Sequence, residues 1–307
     1  MALYRSTMDL IGNTPLVEIN AYDLPRGIRL FAKLEFMNPG GSVKDRVGKA
    51  LLHDALATGK IKPGGTLVEA TAGNAGIGLA MAAIHEDISV VFAVPEKFSI
   101  EKQTLMKALG ARIVHTPTAK GMRGAIDKAR ELVEEIPGAY CPGQFTNPDN
   151  PKAYYQTMGP EIWNDLEGKV DVFVAGAGSG GTFMGTSRYL KEQNPNIKTV
   201  IVEPEGSIIN GGESGSHKTE GIGMEMIPEF MDKSYFNTIH TISDEDAFNR
   251  VAELARLEGL LIGSSAGSAL HAALLEVETA PDGAHIVTIF PDSSERYLSK
   301  QIYEGGI

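Results

Sequence analysis

Lys44 is the residue whose setting departs most from what its helix would choose. It lies in Asn38-Pro-Gly-Gly-Ser-Val-Lys-Asp-Arg46, where Ser42 reads as a helix N-cap and Lys44 as the second helical position. A cation there opposes the helix macrodipole. An amine in positive potential has a depressed pKa and more free base for Schiff-base formation. Beside Asp45 the same lysine also reads as an ordinary surface cation.

Two glycine loops supply a complementary chemistry. In Val172-Phe-Val-Ala-Gly176-Ala-Gly-Ser-Gly-Gly-Thr182 a strand runs into a glycine turn that opens a helix. Converging backbone N–H groups at a helix N-terminus hold phosphate without Lys or Arg. Gly176, Gly178 and Gly181 also fit G-x-G-x-x-G, and Glu203 ends the next strand as a ribose-binding acid would. The motif alone does not decide between a phosphate and a dinucleotide. Thr71-Ala-Gly-Asn-Ala-Gly-Ile-Gly78 is a second loop of this kind, suited to a carboxylate. Asn74 in it reads either as a hydrogen-bonding partner of a planar ligand or as an N-cap.

Gly263-Ser-Ser-Ala-Gly267 matches the G-x-S-x-G nucleophile elbow around Ser265. A hydrolase needs an acid and then a histidine downstream. Only His271 and His285 follow, with little room for the intervening elements. None of the seven histidines forms H-E-x-x-H and Cys141 is the single cysteine, so neither a metal site nor an intrachain disulfide is expected.

These loops need rigid elements behind them. Runs at Leu67-Val68, 90–94, 112–115, 170–175, 199–202, 260–262 and 286–290 read as strands, several apolar at consecutive positions as in sheets covered on both faces. Amphipathic segments at 43–58, 99–109, 122–135, 151–166, 182–193, 244–258 and 268–277 alternate with them. Ser99 and Ser243 read as N-caps, and Gly59, Gly110 and Gly259 as helix stops. The β-then-α alternation predicts an α/β protein with parallel sheets. Its softest boundary is Asn147-Pro-Asp-Asn-Pro151. With 307 residues the chain accommodates two domains, expected at 1–150 and 151–307, the first ~35 residues packing on the second. A formal charge of −11 disfavours nucleic acid as a partner. Without a signal peptide or an 18-residue apolar stretch, the expectation is a cytoplasmic protein with no membrane partner.

Taken in order, Leu10-Ile-Gly-Asn-Thr-Pro-Leu16, Asn38–Arg46, Thr71–Gly76, Gly176–Thr182, Glu220-Gly-Ile-Gly223 and Gly263–Gly267 resemble the motifs of fold-type II pyridoxal-phosphate enzymes of the cysteine synthase and cystathionine β-synthase group. The resemblance spans almost the whole chain. It implies a tryptophan synthase β-like fold of two doubly wound α/β domains with the cofactor, pyridoxal 5'-phosphate, in the cleft between them, and a homodimer. Lys44 resembles the Schiff-base lysine that also moves the substrate α-proton. Asn74 resembles the partner of the ring hydroxyl, and Gly178, Ser179, Gly180, Gly181 and Thr182 the phosphate cradle. Ser265 resembles the hydroxyl facing the pyridine nitrogen. Thr71, Ala72, Gly73, Ala75, Gln144 and Gly221 correspond to the substrate site.

The implied reaction is β-replacement on an O-acetylserine- or serine-type substrate by a thiol. Ala72 and Ala75 depart from the group's usual hydroxyl residues, which predicts weaker amino-acid binding or reliance on backbone N–H groups, and leaves a non-catalytic relative as an alternative. Pro204-Glu-Gly-Ser207, Glu220–Gly223 and Gly263–Ser268 look closer to cystathionine β-synthases, pointing to homocysteine as acceptor. Sulfide is the runner-up, and a dinucleotide oxidoreductase the remote alternative.

Overall fold

Residues 3–71 and 73–303 are described by the computed structural model; Ala72 lies outside them. The strands are β1 Leu16–Glu18, β2 Arg29–Leu34, β3 Thr66–Ala70, β4 Ser89–Pro95, β5 Arg112–Thr116, β6 Ala139–Tyr140, β7 Val172–Gly176, β8 Lys198–Pro204, β9 Thr238–Ile242 and β10 His285–Phe290. The α-helices are α1 Lys44–Ala57, α2 Asn74–Ala83, α3 Ile100–Ala108, α4 Gly121–Glu135, α5 Asp149–Gln156, α6 Met158–Asp165, α7 Gly181–Gln193, α8 Asp244–Glu258 and α9 Ser264–Glu276.

The chain divides into two compact units, one holding the described residues up to Ile11 with Asn38–Asn150, the other Gly12–Met37 with the residues from Pro151 on. In the first unit β5-β4-β3-β6 form a parallel sheet. The apolar run of β4 is buried from Val90 to Pro95. On one face, Val68, Ala70, Val91 and Ala93 pack against Ala125, Ala129 and Leu132 of α4. Helices α1 and α2 meet backbone to backbone: a Cβ on Gly78 would stand 2.5 Å from the carbonyl oxygen of Lys44. Small residues on both helices allow that approach.

The second unit carries the order β1-β2-β10-β7-β8-β9, parallel except for the β1–β2 pair. Residues 12–37 belong here because β2 adds beside β10 in register, Leu30 opposite Ile286 and Ala32 opposite Thr288. The core joins Val172, Val174, Val200, Val202 and Ile286 to Ala266, Leu270 and Ala273 of α9.

Ser99 and Ser243 cap α3 and α8 through bonds from Lys102 N and Asp246 N. Gly59, Gly110 and Gly259 take positive φ after helix ends. Three expectations are corrected. The run 260–262 is not a strand; Ile262 makes only an isolated bridge to Ser293. Flanked by Gly259 and Gly263, the run is too short to do more than connect α8 to α9. The segment 151–166 is two helices, broken at Thr157 (φ −124°). The Thr157 hydroxyl donates to Ala153 O at 2.7 Å, and Pro160 has no N–H to continue the ladder. At α1 the cap position belongs to Val43, so Lys44 is the first helical residue. Val43 is already helical (φ −53°, ψ −23°), and the Ser42 hydroxyl accepts from Lys44 N at 3.2 Å.

Candidate active site

In the first unit the polypeptide leaves β3 at Ala70 and enters α2 at Asn74 through a turn that its own residues hold. The Thr71 hydroxyl, fully buried, accepts from Gly73 N (3.0 Å) and Gly76 N (3.2 Å). Thr71 N donates to Ala93 O on the neighbouring strand. Gly73 has φ +138°, and a Cβ on it would collide with the side-chain carbons of Lys102. The N-cap residue Gly73 offers no side chain to α2, and Thr71 Oγ1 takes the Gly76 amide of its first turn. Ala75 is buried in that turn.

Gln144 reaches the same strand end from a distant part of the chain. Its Nε2 donates to Ala70 O at 3.0 Å, and its own carbonyl accepts from Asn150 Nδ2 at 2.6 Å. The structure thus brings Thr71, Gly73, Asn74, Ala75 and Gln144 together. Lys44 is half-buried, and its backbone lies against Gly78, one turn into α2. Asp45 holds the approach by accepting from Gly40 N at 2.6 Å.

In the second unit β7 runs into Ala177–Gly180 before α7 opens at Gly181. Gly180 is the cap residue, with φ +83°. A Cβ on Gly178 would overlap the carbonyl oxygen of Gly221, and one on Gly176 would stand 2.6 Å from Ile222 Cγ2. Gly223 N donates to Ala177 O at 2.9 Å. The segment 221–223 therefore backs the glycine turn directly. The Thr182 hydroxyl is buried and has no hydrogen-bond partner among the described residues.

Ser265 stands on the first turn of α9, 2% exposed, and its hydroxyl makes no hydrogen bond to a described residue, histidines included. Its Oγ lies 3.7 Å from where a Cβ of Gly221 would be. The adjacent Ser264 Oγ accepts from Glu220 N at 3.0 Å, tying that loop to α9.

An orphaned buried hydroxyl, a turn whose glycines leave no room for a Cβ, and a helix N-terminus without a side-chain cap together fit a phosphate group. A sequence-family model described as pyridoxal-phosphate dependent enzyme matches residues 7–292. The chain belongs to that family. As a pyridoxal-phosphate enzyme it is similar to the Bacillus subtilis protein named O-acetylserine dependent cystathionine beta-synthase, 60% identical over 307 residues and the full length of both chains. A Helicobacter pylori protein named cysteine synthase is 52% identical over 305 residues, covering 99% of this chain and 100% of its own. The solved O-acetylserine dependent cystathionine beta-synthase from Helicobacter pylori superposes with TM-score 0.96 at 52% identity, covering 99% and 100% of the two chains. The fold is accordingly that of fold-type II pyridoxal-phosphate enzymes, and pyridoxal 5'-phosphate is the cofactor.

Glu203 has another task in this enzyme than a ribose contact. Buried at the end of β8, it accepts from Ile209 N (2.8 Å), Asn210 N (3.1 Å) and Thr241 Oγ1 (3.0 Å), which occupies both its oxygens. Glu69 went unread in the sequence. An acid inside the apolar run Leu67–Ala70, one residue before the loop, was the available signal. Among the described residues no helix is long and apolar enough to cross a membrane.

Proposed function

We propose that this enzyme replaces the β-acetoxy group of O-acetylserine by a thiol, with homocysteine as the preferred acceptor and cystathionine as product. Identity of 60% along both full chains to a protein named for that activity carries the choice of acceptor. Sulfide, giving cysteine, is the second reading, favoured by the relative named cysteine synthase at 52%.

The residues divide the work by unit. In the second unit, the N–H groups of Gly178–Thr182 and the unpartnered Thr182 hydroxyl hold the cofactor phosphate. Ser265 offers the ring nitrogen a neutral hydroxyl. Unlike a carboxylate, a hydroxyl does not enforce protonation of that nitrogen, which favours loss of a β-substituent over transamination. In the first unit, Asn74 bonds the ring hydroxyl and the Lys44 amine holds the aldehyde carbon. The Asn74 and Ala75 amides, with Gln144, bind the substrate carboxylate, and Gly221 contributes to substrate binding.

Bound pyridoxal phosphate supplies an electron sink for the substrate α-carbon. Lys44 does the proton work. Once the substrate's own amine has replaced it at the cofactor aldehyde, the Lys44 amine, at the N-terminus of α1, would take the proton from the α-carbon as acetate departs and return it after the thiolate has added at the β-carbon.

Steady-state rates with O-acetylserine and either homocysteine or sulfide test the acceptor. We expect kcat/KM at least about tenfold higher with homocysteine; a preference for sulfide overturns the choice. Lys44→Ala should abolish turnover with either thiol and leave a protein that borohydride no longer fixes to its cofactor.

A further inference from the structure

A buried acid joins the two parts of the first-unit site. Glu69 is 1% exposed. Its Oε1 accepts from Ala70 N at 3.0 Å, and its Oε2 from Gly143 N at 2.8 Å and Gln144 N at 3.2 Å. Ala70 is the last residue before the 71–75 loop. Gly143 and Gln144 form the turn that presents the Gln144 side chain, whose Nε2 returns to Ala70 O. One carboxylate and one amide thus clamp together segments that lie some seventy positions apart in sequence.

We propose that Glu69 is a positioning residue for amino-acid binding: its ionised carboxylate holds the 71–75 loop and Gln144 in the register that receives the substrate carboxylate, and protonation slackens that register. The inference rests on the reading that this loop and Gln144 form the carboxylate site.

The clamp holds its charge without a cation. Val68 and Ala70 face α4, so Glu69 points to the opposite side of the sheet. There β4 sets Phe92 opposite it and carries no titratable group, nor does α2. From β6 onward come Tyr140 and the Cys141 thiol. Burial first, and then the Glu69 charge, push that thiol up, while Arg130 of α4 draws it down. Three N–H donors are the whole compensation of the carboxylate, and a proton added to it must sit on an oxygen that already faces an N–H. Burial raises its pKa to about 7 against the pull of those three bonds. The clamp therefore tightens as pH rises through neutrality.

The test uses the holoenzyme, Glu69→Gln and Gln144→Ala. The dissociation constant of O-acetyl-L-serine is read from the cofactor spectrum between about pH 6 and pH 8.5, and amide hydrogen exchange is followed by mass spectrometry over residues 139–145 without substrate. In the unmutated enzyme, affinity should rise about tenfold through pH 7 beyond the substrate's own titration. Exchange in 139–145, corrected for its intrinsic pH dependence, should slow over the same interval. Glu69→Gln should remove both inflections and weaken binding at pH 8 about tenfold, with the resting cofactor spectrum unchanged. Wild-type inflections persisting in Glu69→Gln overturn the proposal. If that variant does not fold, the absence of an exchange inflection near pH 7 in the unmutated enzyme overturns it equally. Weak binding by Gln144→Ala beside an unaltered Glu69→Gln sinks the positioning role alone. Undiminished affinity in Gln144→Ala removes the carboxylate-site reading and the proposal with it.

Discussion

The backbone of Gly178 is pressed so closely against the carbonyl oxygen of Gly221 that a methyl group on Gly178 would overlap it. The acceptor is backbone, and Gly223 N is bonded to Ala177 O just beyond it, so the neighbour yields little. Gly178→Ala should weaken pyridoxal-phosphate binding by more than about tenfold, roughly the strength of one N–H bond to a charged oxygen. Visible absorbance against added cofactor measures it, with far-ultraviolet circular dichroism expected to stay unchanged.

Thr182 separates holding the cofactor from holding the fold. Its buried hydroxyl has no partner among the described residues, and such a group costs about 1–3 kcal/mol. Thr182→Val keeps the shape and removes that group. The cofactor-free protein should unfold at equal or higher denaturant concentration, while affinity for the cofactor falls about tenfold. A less stable apoprotein with normal cofactor affinity would assign the hydroxyl to the fold instead.

By the resemblance of the 71–76 motif, Ala75 replaces a residue that carries a hydroxyl. Ala75→Thr should lower KM for O-acetylserine about tenfold and leave kcat within about twofold, since a hydrogen bond to a charged group is worth about 1.5–3 kcal/mol. An unchanged KM would place the carboxylate on backbone N–H groups alone.

Glu276 links α9 to two strands of the second unit: Lys198 at 2.5 Å and His240 Nε2 at 2.7 Å. Burial raises its pKa, but the bonds from His240 and Lys198 outweigh it, and the net shift is downward. A depressed folded-state pKa contributes stability that is present above the unfolded value of 4.5 and lost as pH falls through the lower folded one. Glu276→Gln should therefore flatten the acid limb of stability. Urea unfolding between about pH 3 and pH 7 checks this.

Glu69 acts on stability with the opposite sign. Its folded-state pKa, about 7, lies above the ordinary carboxyl value of 4.5. Its contribution is fully present below 4.5 and is lost as pH rises to about 7, because the folded state holds the proton that the unfolded chain has released. Glu69→Gln should lose less stability than the unmutated protein between about pH 5 and pH 7.5, by an amount on the order of 3 kcal/mol. Parallel pH profiles of the two proteins would refute this.

Both glycine loops and Lys44 were legible because their chemistry is local. A strand, a glycine turn and a helix N-terminus within ten or so residues suit an anion and can be picked out without knowledge of the rest of the chain. The helix caps at Ser99 and Ser243 follow the same logic. Strand β2 was hidden because Lys33 breaks its apolar run. That charge is tolerated only because Glu161 (3.1 Å) and Asp165 (3.0 Å) meet it from α6, more than a hundred positions away. Leu260–Ile262 misled for the converse reason: only Ile262 is buried, Leu261 is exposed, and apolarity does not record pairing.

The sequence by itself pointed to the type of chemistry: a lysine at a helix start, glycine turns before two helices, and motifs that resemble those of pyridoxal-phosphate enzymes. These are properties of residues and their immediate neighbours. Tertiary structure alone decided that Gly221 presses on Gly178, that Gln144 returns to Ala70, and that Glu69 joins them without a counter-charge. Each of these contacts sets a backbone group against a partner distant in the chain, and a backbone group carries no mark in the sequence of the partner it will find.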